Sequence, residues 1–343
     1  MTWTETTNLK FCLLNAENLF LMFDGEPTKE LLKLNEAQWQ KSSSSVYENK
    51  SLKKSQEIAK ALIEINADII MLCEVGGYES LKNFNLLFMN DLYSPVLLEG
   101  NSDRNIDVGF LIRKNAPYYF DLLSNKHRPI NYLYPHERES LTHGYPIKGG
   151  RITHSHKFSR DVVELRLFKQ DKEKPFMIVL LTHLKSRLDP ERIDPNGFER
   201  RQAELRTLLE IYKELETVHP QVPIMIAGDF NGNAGVLETD EEFREIYAST
   251  KLLDVFEVAK LPAEKRATFY QVKNNSRTEG RQIDFTFLSP LLQTQLKTGS
   301  ALAYRYKDEF GMEHGMPHNM DAKLRLPSDH YPIVFEIENI ILR

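Results

Sequence analysis

The sequence predicts an α/β fold whose sheets are covered on both faces. Three observations carry that expectation. Short apolar runs recur along the chain, segments with helical spacing lie between them, and many of the runs are continuous rather than alternating. An alternating strand has one wet face, whereas a strand that is apolar throughout is buried on both.

Taken in order, strands are expected over Lys10–Leu14, Asp68–Val75, Val108–Ile112, Val162–Leu167, Phe176–Thr182, Pro223–Ala227, Ile283–Leu288 and Tyr331–Ile337. In "SLKKSQEIAKALIEIN", Leu52, Ile58, Ala59, Leu62 and Ile63 recur at helical spacing. Leu205, Leu208, Leu209 and Tyr212 do the same in "FERRQAELRTLLEIYKEL", and the Met and Phe residues of "LKNFNLLFMNDL" read as core. Polar stretches at 24–50, 125–160 and 305–328 interrupt the pattern, and "KSSSSV" at 41–46 reads as a loop tip.

The 343 residues leave room for a large core, and length alone suggests about two domains. A hydrophobic share of 41% with 27% charged residues is that of a soluble globular protein. No run approaches the roughly 18 apolar residues of a membrane helix, and the N-terminus has no basic segment of the kind that opens a signal peptide. The two cysteines, Cys12 and Cys73, lie in apolar runs and read as small buried hydrophobes in a reduced, cytoplasmic setting. A net charge of −5 argues against a protein that coats nucleic acid by bulk electrostatics. The charge is uneven, however. From Lys126 to Arg160 there are seven Lys/Arg and five of the ten histidines against two glutamates. That is either a local basic surface for a polyanionic substrate or a solvated loop. His127, His136, His143, His154 and His156 have neither the spacing nor the cysteine partners of a zinc site and read as exposed.

Polar signals collect at strand ends. "FCLLN" ends at Asn15, "ADIIMLCE" at Glu74, "FMIVLLTH" at His183, and "VPIMIAGDFN" at Asp229 and Asn231. "RQIDFTFL" carries Asp284, and "PSDHYPIVFEI" opens with Asp329 and His330. Singly, each is a turn signal. Together they supply carboxylates for a hard divalent cation, imidazoles that move protons and amides that position a phosphate or water.

In order along the chain, "LLNAENL", "DIIMLCEV", "SRDVVELRL", "LLTHLKS", "IAGDFN", "QIDF" and "SDHYP" resemble the motifs of the endonuclease/exonuclease/phosphatase superfamily, most closely its deoxyribonuclease-like branch. The resemblance runs from Asn15 to His330, and "GDFN" followed by "SDHYP" is its specific part. It implies a four-layered α/β sandwich: two mixed sheets packed face to face, helices outside, and the site at one edge. Because the motif set draws on both ends of the chain, it also implies a single catalytic domain over 1–343, with the three polar stretches as loop insertions.

The resemblance assigns roles. Glu74 matches the glutamate that binds Mg²⁺ or Mn²⁺, Asn15 the asparagine beside it, Asp329 a residue near the metal, and Glu17 an occasional second acidic ligand. Asp229 and Asn231 match the pair that orients the attacking water and the phosphate. His330 matches the histidine nearest the phosphorus, with Asp284 holding its other ring nitrogen. His183 marks the deoxyribonuclease-like branch, Arg160 matches an arginine on the phosphate, and Asp107 is a candidate to orient His183. Lys185 and Arg201 are candidates for further phosphate charge or, equally, for a solvated face.

The expected activity is metal-dependent phosphodiester hydrolysis, with nucleic acid as substrate, DNA favoured over RNA, and no obligate protein partner. The rival within hydrolases is a phosphatase or phospholipase acting on a phosphoinositide, sphingomyelin or another small phosphoester. The rival of another class is a binding module that kept the fold and lost the reaction.

Overall fold

Successive side chains of a strand point to opposite faces of its sheet, and in this protein both faces meet apolar surface. The computed structural model describes residues 5–143, 155–170, 174–273 and 277–342. Its strands in chain order are β1 (Thr6–Leu19), β2 (Ile69–Val75), β3 (Tyr93–Leu97), β4 (Asp107–Arg113), β5 (Tyr119–Ser124), β6 (Val162–Phe168) and β7 (Met177–His183). They continue with β8 (Ile224–Asp229), β9 (Leu253–Asp254), β10 (Phe269–Lys273), β11 (Arg277–Arg281), β12 (Asp284–Leu288), β13 (Leu302–Ala303) and β14 (Ile333–Ile341).

Twelve of these strands build two six-stranded sheets, ordered β13-β14-β1-β2-β4-β3 and β5-β6-β7-β8-β12-β9. Each sheet is mixed. β1 runs parallel to β2 and β7 parallel to β8, while the flanking pairs are antiparallel. Phe11, Leu13, Met71, Phe110, Leu165, Val179, Leu181, Met225 and Phe335 form one buried core between the sheets. Their neighbours Cys12, Leu14, Ile70, Leu72 and Leu111 instead pack against the helices Leu52–Ile65 and Gly77–Phe88. Ile178, Leu180, Ile224, Ile226 and Phe287 pack against the helix Phe198–Val218. This period-two division is why the strands read as continuous apolar runs, and it produces the four layers, helix–sheet–sheet–helix.

Four strands, β3, β5, β10 and β11, escape the apolar-run signal for physical reasons. β3 lies at a sheet edge and contains Pro95, which an edge tolerates because its missing N–H faces outward. β5 is the opposite edge and is mostly exposed. The hairpin β10–β11 stands apart from both sheets and is charged and half-exposed. The insertions also carry structure of their own, with helices at Glu36–Gln40, Pro135–His143 and Met320–Leu324. No helix among the described residues is long and apolar enough to cross a membrane.

Candidate active site

Strand register gathers the polar strand ends. In parallel pairing Asn15 sits beside Cys73, which brings Asn15 on β1 next to Glu74 near the C-terminal end of β2. In the other sheet His183 pairs with Asp229, and Asp229 pairs with Asp284 across β12. His330 bridges to Phe269 just before β14. The face-to-face sheets then bring the two sets together, and Asn15 Nδ2 donates to Asp229 Oδ2 at 2.9 Å across the interface.

Gly228 makes the close approach of β7 and β8 possible. Its φ is +152°, and a Cβ there would lie 1.9 Å from the Thr182 carbonyl oxygen. Three site residues hold left-handed backbone conformations without being glycine: Glu17 (φ 50°), Glu74 (φ 60°) and Asn231 (φ 54°). Such conformations cost on the order of 1–3 kcal/mol each and cluster where geometry serves function.

Asp229 is the hub. Its Oδ1 accepts from the Asn231 backbone N–H at 2.8 Å, and its Oδ2 lies 3.5 Å from His183 Nε2 and 4.0 Å from His330 Nε2. Burial, and then the neighbouring Asp284, push its carboxyl up to about 7, against the pull of His330, Asn15 and Asn231. His330 Nδ1 binds Asp284 Oδ2 at 2.8 Å, leaving Nε2 turned toward Asp229 and toward Asp329 Oδ1 at 3.8 Å. Burial opposes a charged ring here, but Asp284, Asp329 and Asp229 outweigh it and hold the imidazole well above its usual range. His183 goes the other way. Burial, together with Arg160, His330 and Arg104, holds it well below, so it is neutral at pH 7.

Supports fix these groups in place. Ser328 Oγ donates to the Asn15 carbonyl at 2.7 Å and accepts from the His330 N–H at 3.1 Å. Tyr306 OH donates to the His330 carbonyl at 2.9 Å, and Thr268 Oγ1 accepts from the Asp284 N–H at 3.2 Å. Lys323 Nζ reaches Asp329 Oδ2 at 3.2 Å while lying over the Phe269 ring, whose face is near His330. Burial disfavours a charged Asp329, but His330 and Lys323 prevail and its carboxyl stays below the ordinary carboxylate range. Sequence reasoning singled out none of Ser328, Tyr306, Thr268 and Lys323. Ser328 stands inside "PSDHYP" and had a visible signal; Thr268 is distant in sequence from Asp284, and Lys323, though near Asp329 in the chain, sits in a polar stretch where nothing sets it apart.

The remaining expected residues divide. Glu74 is half-buried, its Oε2 accepts from the Asn18 N–H at 3.0 Å, and its Oε1 has no hydrogen-bond partner among the described residues. Asn231 Nδ2 donates to the Leu184 carbonyl at 3.0 Å. Arg160, 7% exposed, donates from Nη1 to the same carbonyl at 3.3 Å, which places it beside the centre. Glu17 pairs with Lys50 at 3.3 Å and Lys54 at 3.0 Å, so two ammonium groups already neutralise its carboxylate. Asp107 accepts from the Gly100 N–H at 2.8 Å, and His183 Nδ1 has no partner among the described residues, so the structure does not join these two.

Outside the centre, Arg201 is neither a phosphate contact nor a solvated cation. It is 1% exposed, and Nη2 binds Glu242 Oε1 at 2.5 Å. His156 is not a free loop histidine, because its Nε2 lies 2.8 Å from Glu137 Oε2; His136 stacks on Tyr134. His127 is exposed. The His143 side chain and His154 lie outside the described residues, as do Lys148 and Arg151 of the basic segment. Cys12 and Cys73 are fully buried, and burial pushes both thiols well above their usual range, which excludes them as nucleophiles.

No protein-family model and no curated protein matches the sequence. Solved structures do match. An endonuclease/exonuclease/phosphatase family protein from Bacteroides thetaiotaomicron aligns at TM-score 0.55 and 15% identity over 98% of this chain and 99% of that one. A mannosyl-6-phosphatase from the same organism aligns at TM-score 0.53 and 16% identity, covering 95% and 98%. TDP2 from D. rerio, complexed with a single strand DNA product, aligns at TM-score 0.55 and 14% identity, covering 96% and 98%. At such identities the likeness speaks for the backbone arrangement, the same two-sheet sandwich that the motif resemblance implied. This chain has the fold of the endonuclease/exonuclease/phosphatase superfamily.

Proposed function

We propose that this chain is a divalent-metal-dependent phosphodiesterase acting on nucleic acid, with DNA favoured, and that its whole length forms one catalytic domain. The observation that carries the reading is the buried His330–Asp284 pair with Nε2 turned toward Asp229, flanked by Asn15 and His183.

The chemistry follows from the charges. Held protonated by Asp284, His330 presents an N–H from Nε2 to the negative charge that builds on phosphorus-bound oxygens. Asp229, with a carboxyl raised to about 7, is poised to take a proton from an attacking water at neutral pH. Asn15 and the Asn231 backbone aim that carboxylate, while neutral His183, 3.5 Å from Asp229, and the buried guanidinium of Arg160 are further groups for the phosphate.

The donor set fits a hard cation. Glu74 Oε1 is free of hydrogen bonds among the described residues, and Asn15, whose Oδ1 accepts from the Glu17 N–H at 3.0 Å, lies on the neighbouring strand; such oxygen donors suit Mg²⁺ or Mn²⁺. Glu74, Asn15 and Asp329 would hold it, and when bound it would neutralise charge on the phosphoryl oxygens. One donor atom each from Asp229, Asp284 and His330 also lies within 4.8 Å of the others. We assign that cluster to proton chemistry instead, because His330 Nδ1 and Asp284 Oδ2 are already joined at 2.8 Å.

A small phosphoester is the second reading. The bounded cleft that adjoins Arg160 favours it, and so does the fold shared with a mannosyl-6-phosphatase. Activity with metal on plasmid DNA, single-stranded DNA, RNA, bis-p-nitrophenyl phosphate and phosphoinositides separates the two. DNA cleavage at least matching the small substrates upholds the nuclease; turnover of phosphoinositides alone overturns it.

A further inference from the structure

The cleft beyond Arg160 supports an inference that rests on the phosphodiesterase reading and extends it to the form of the substrate. The cleft has a volume of about 1020 Å³, large enough for a nucleotide-sized ligand, and its lining includes Arg160, Lys185, Arg104, Tyr134, His136 and Arg200.

Three of its cations form no direct ion pair among the described residues. Arg160 is buried, forms no ion pair among the described residues, and makes only two long side-chain hydrogen bonds, to the Leu184 carbonyl at 3.3 Å and Ser159 Oγ at 3.4 Å. Lys185 Nζ donates to the carbonyls of Ser186 at 3.2 Å and Leu188 at 2.7 Å and meets no carboxylate among the described residues. Arg104, at the rim, donates to Asn18 Oδ1 at 2.7 Å and likewise has no carboxylate partner among them. Burial, and then Arg160 and Arg200, push the Lys185 ammonium below its usual range. For buried Arg160 and half-buried Lys185 the lack of a direct partner is unfavourable, and a bound anion removes that penalty, while Arg104 is exposed at the rim.

One scissile phosphate accounts for Arg160 but leaves Lys185 and Arg104 unused. Beyond them the walls change character. Tyr134 stacks on His136 with ring centroids 5.9 Å apart and planes 10° from parallel, a flat surface for a base or sugar ring. Asp189 and Glu191 line the same cleft, so a long polyanion filling it would meet carboxylates as well as cations. We propose that the cleft is a subsite for a second, non-scissile phosphate at the end of the substrate, held by Lys185 and Arg104 beside Arg160. The preferred substrate is therefore a phosphodiester carrying a terminal phosphate monoester, whether a nucleic-acid end or a small molecule.

The test compares kcat/KM, with Mg²⁺ or Mn²⁺, for thymidylyl-thymidine bearing no terminal phosphate, a 5′-phosphate or a 3′-phosphate, and for glycerophosphoinositol 4-phosphate. One terminally phosphorylated substrate should be preferred by about tenfold or more through KM, the size of one charge-assisted hydrogen bond. Which one is preferred tells a nucleic-acid end from a small molecule. Lys185→Gln should bring the ratio between phosphorylated and unphosphorylated forms close to one, and Lys185→Arg should retain it. Equal rates, or a preference that survives both Lys185→Gln and Arg104→Gln, overturn the subsite. If bis-p-nitrophenyl phosphate is hydrolysed while the dinucleotides are not distinguished, the subsite fails and the phosphodiesterase stands. If nothing is hydrolysed, calorimetric binding of thymidine 3′,5′-bisphosphate against thymidine 5′-monophosphate reads the subsite alone. Binding tighter by about tenfold, and lost in Lys185→Gln, upholds it; equal binding overturns it.

Discussion

Asp229 and Asp284 are direct cross-strand partners on β8 and β12, yet only Asp284 reaches His330 Nδ1, at 2.8 Å. Two acids placed opposite one another repel, and the imidazolium between them relieves that repulsion. The pair His330–Asp284 therefore acts as a unit. His330→Ala should lower turnover by about 10²–10⁴-fold, the range for a positioned acid or base. Asp284→Asn should lower it similarly, because an amide can hold the wrong tautomer and cannot offset an imidazolium. In a double mutant the two losses should not add. Steady-state kinetics on the two single variants and the double variant, each checked for folding by circular dichroism, decides this; additive losses would separate the two residues.

The pH dependence has two limbs. Asp229 must be ionised to accept a proton, so kcat/KM should rise as pH climbs through about 7, the value to which burial and Asp284 push its carboxyl. His330 must stay charged, so activity should fall only at higher pH, above its raised value. A stability effect accompanies the first limb. An acid whose folded value lies above its unfolded one binds its proton more tightly when folded, so stability falls as pH rises between the two. In metal-free protein, Asp229→Asn should therefore gain in Tm relative to the parent between pH 4 and pH 8. Thermal melts at both pH values check the sign, and a Tm difference independent of pH would contradict it.

Metal binding should be read most directly at Glu74. A ligand present at 100 times its Kd stabilises the folded state by about 2.7 kcal/mol, so Mn²⁺ should raise the Tm of the parent and not of Glu74→Gln. Glu17→Gln should keep the metal response, because Lys50 and Lys54 already neutralise that carboxylate. A lost response in Glu17→Gln would return Glu17 to the ligand set.

Gly228 offers a structural prediction. A methyl group there would meet the Thr182 carbonyl oxygen at 1.9 Å, backbone against backbone, where little can give. Gly228→Ala should destabilise by more than about 2 kcal/mol, in the upper range for single substitutions, and should misplace Asp229 next to it. Denaturant unfolding measures this, and a change under about 0.5 kcal/mol would show that β7 and β8 can part without penalty.

The sequence exposed the parts of this fold that are buried on both faces. The cores of β1, β2, β6, β7, β8, β12 and β14 are apolar runs, and their polar ends are the site. Edge and hairpin strands were hidden, because β5 and the β10–β11 hairpin are largely exposed and carry polar residues. Within the site, motif residues were visible, while their supports were not. Lys50 lies far in sequence from Glu17, and although Lys323 is near Asp329 in the chain, nothing local marks a lysine that will be buried against a carboxylate. Arg201 misleads in the opposite direction, since its helical context resembles a solvated face and only the fold brings Glu242 to it.

The most direct test of the account is turnover of plasmid DNA and bis-p-nitrophenyl phosphate by the parent protein and by folded His330→Ala, each with Mn²⁺ or Mg²⁺ and again in excess chelator. The account predicts hydrolysis by the parent with metal, its loss in chelator, and a fall of about 10²–10⁴-fold in His330→Ala. A folded His330→Ala protein that cleaves at the parental rate, or a parent that turns over fully in chelator, would contradict it.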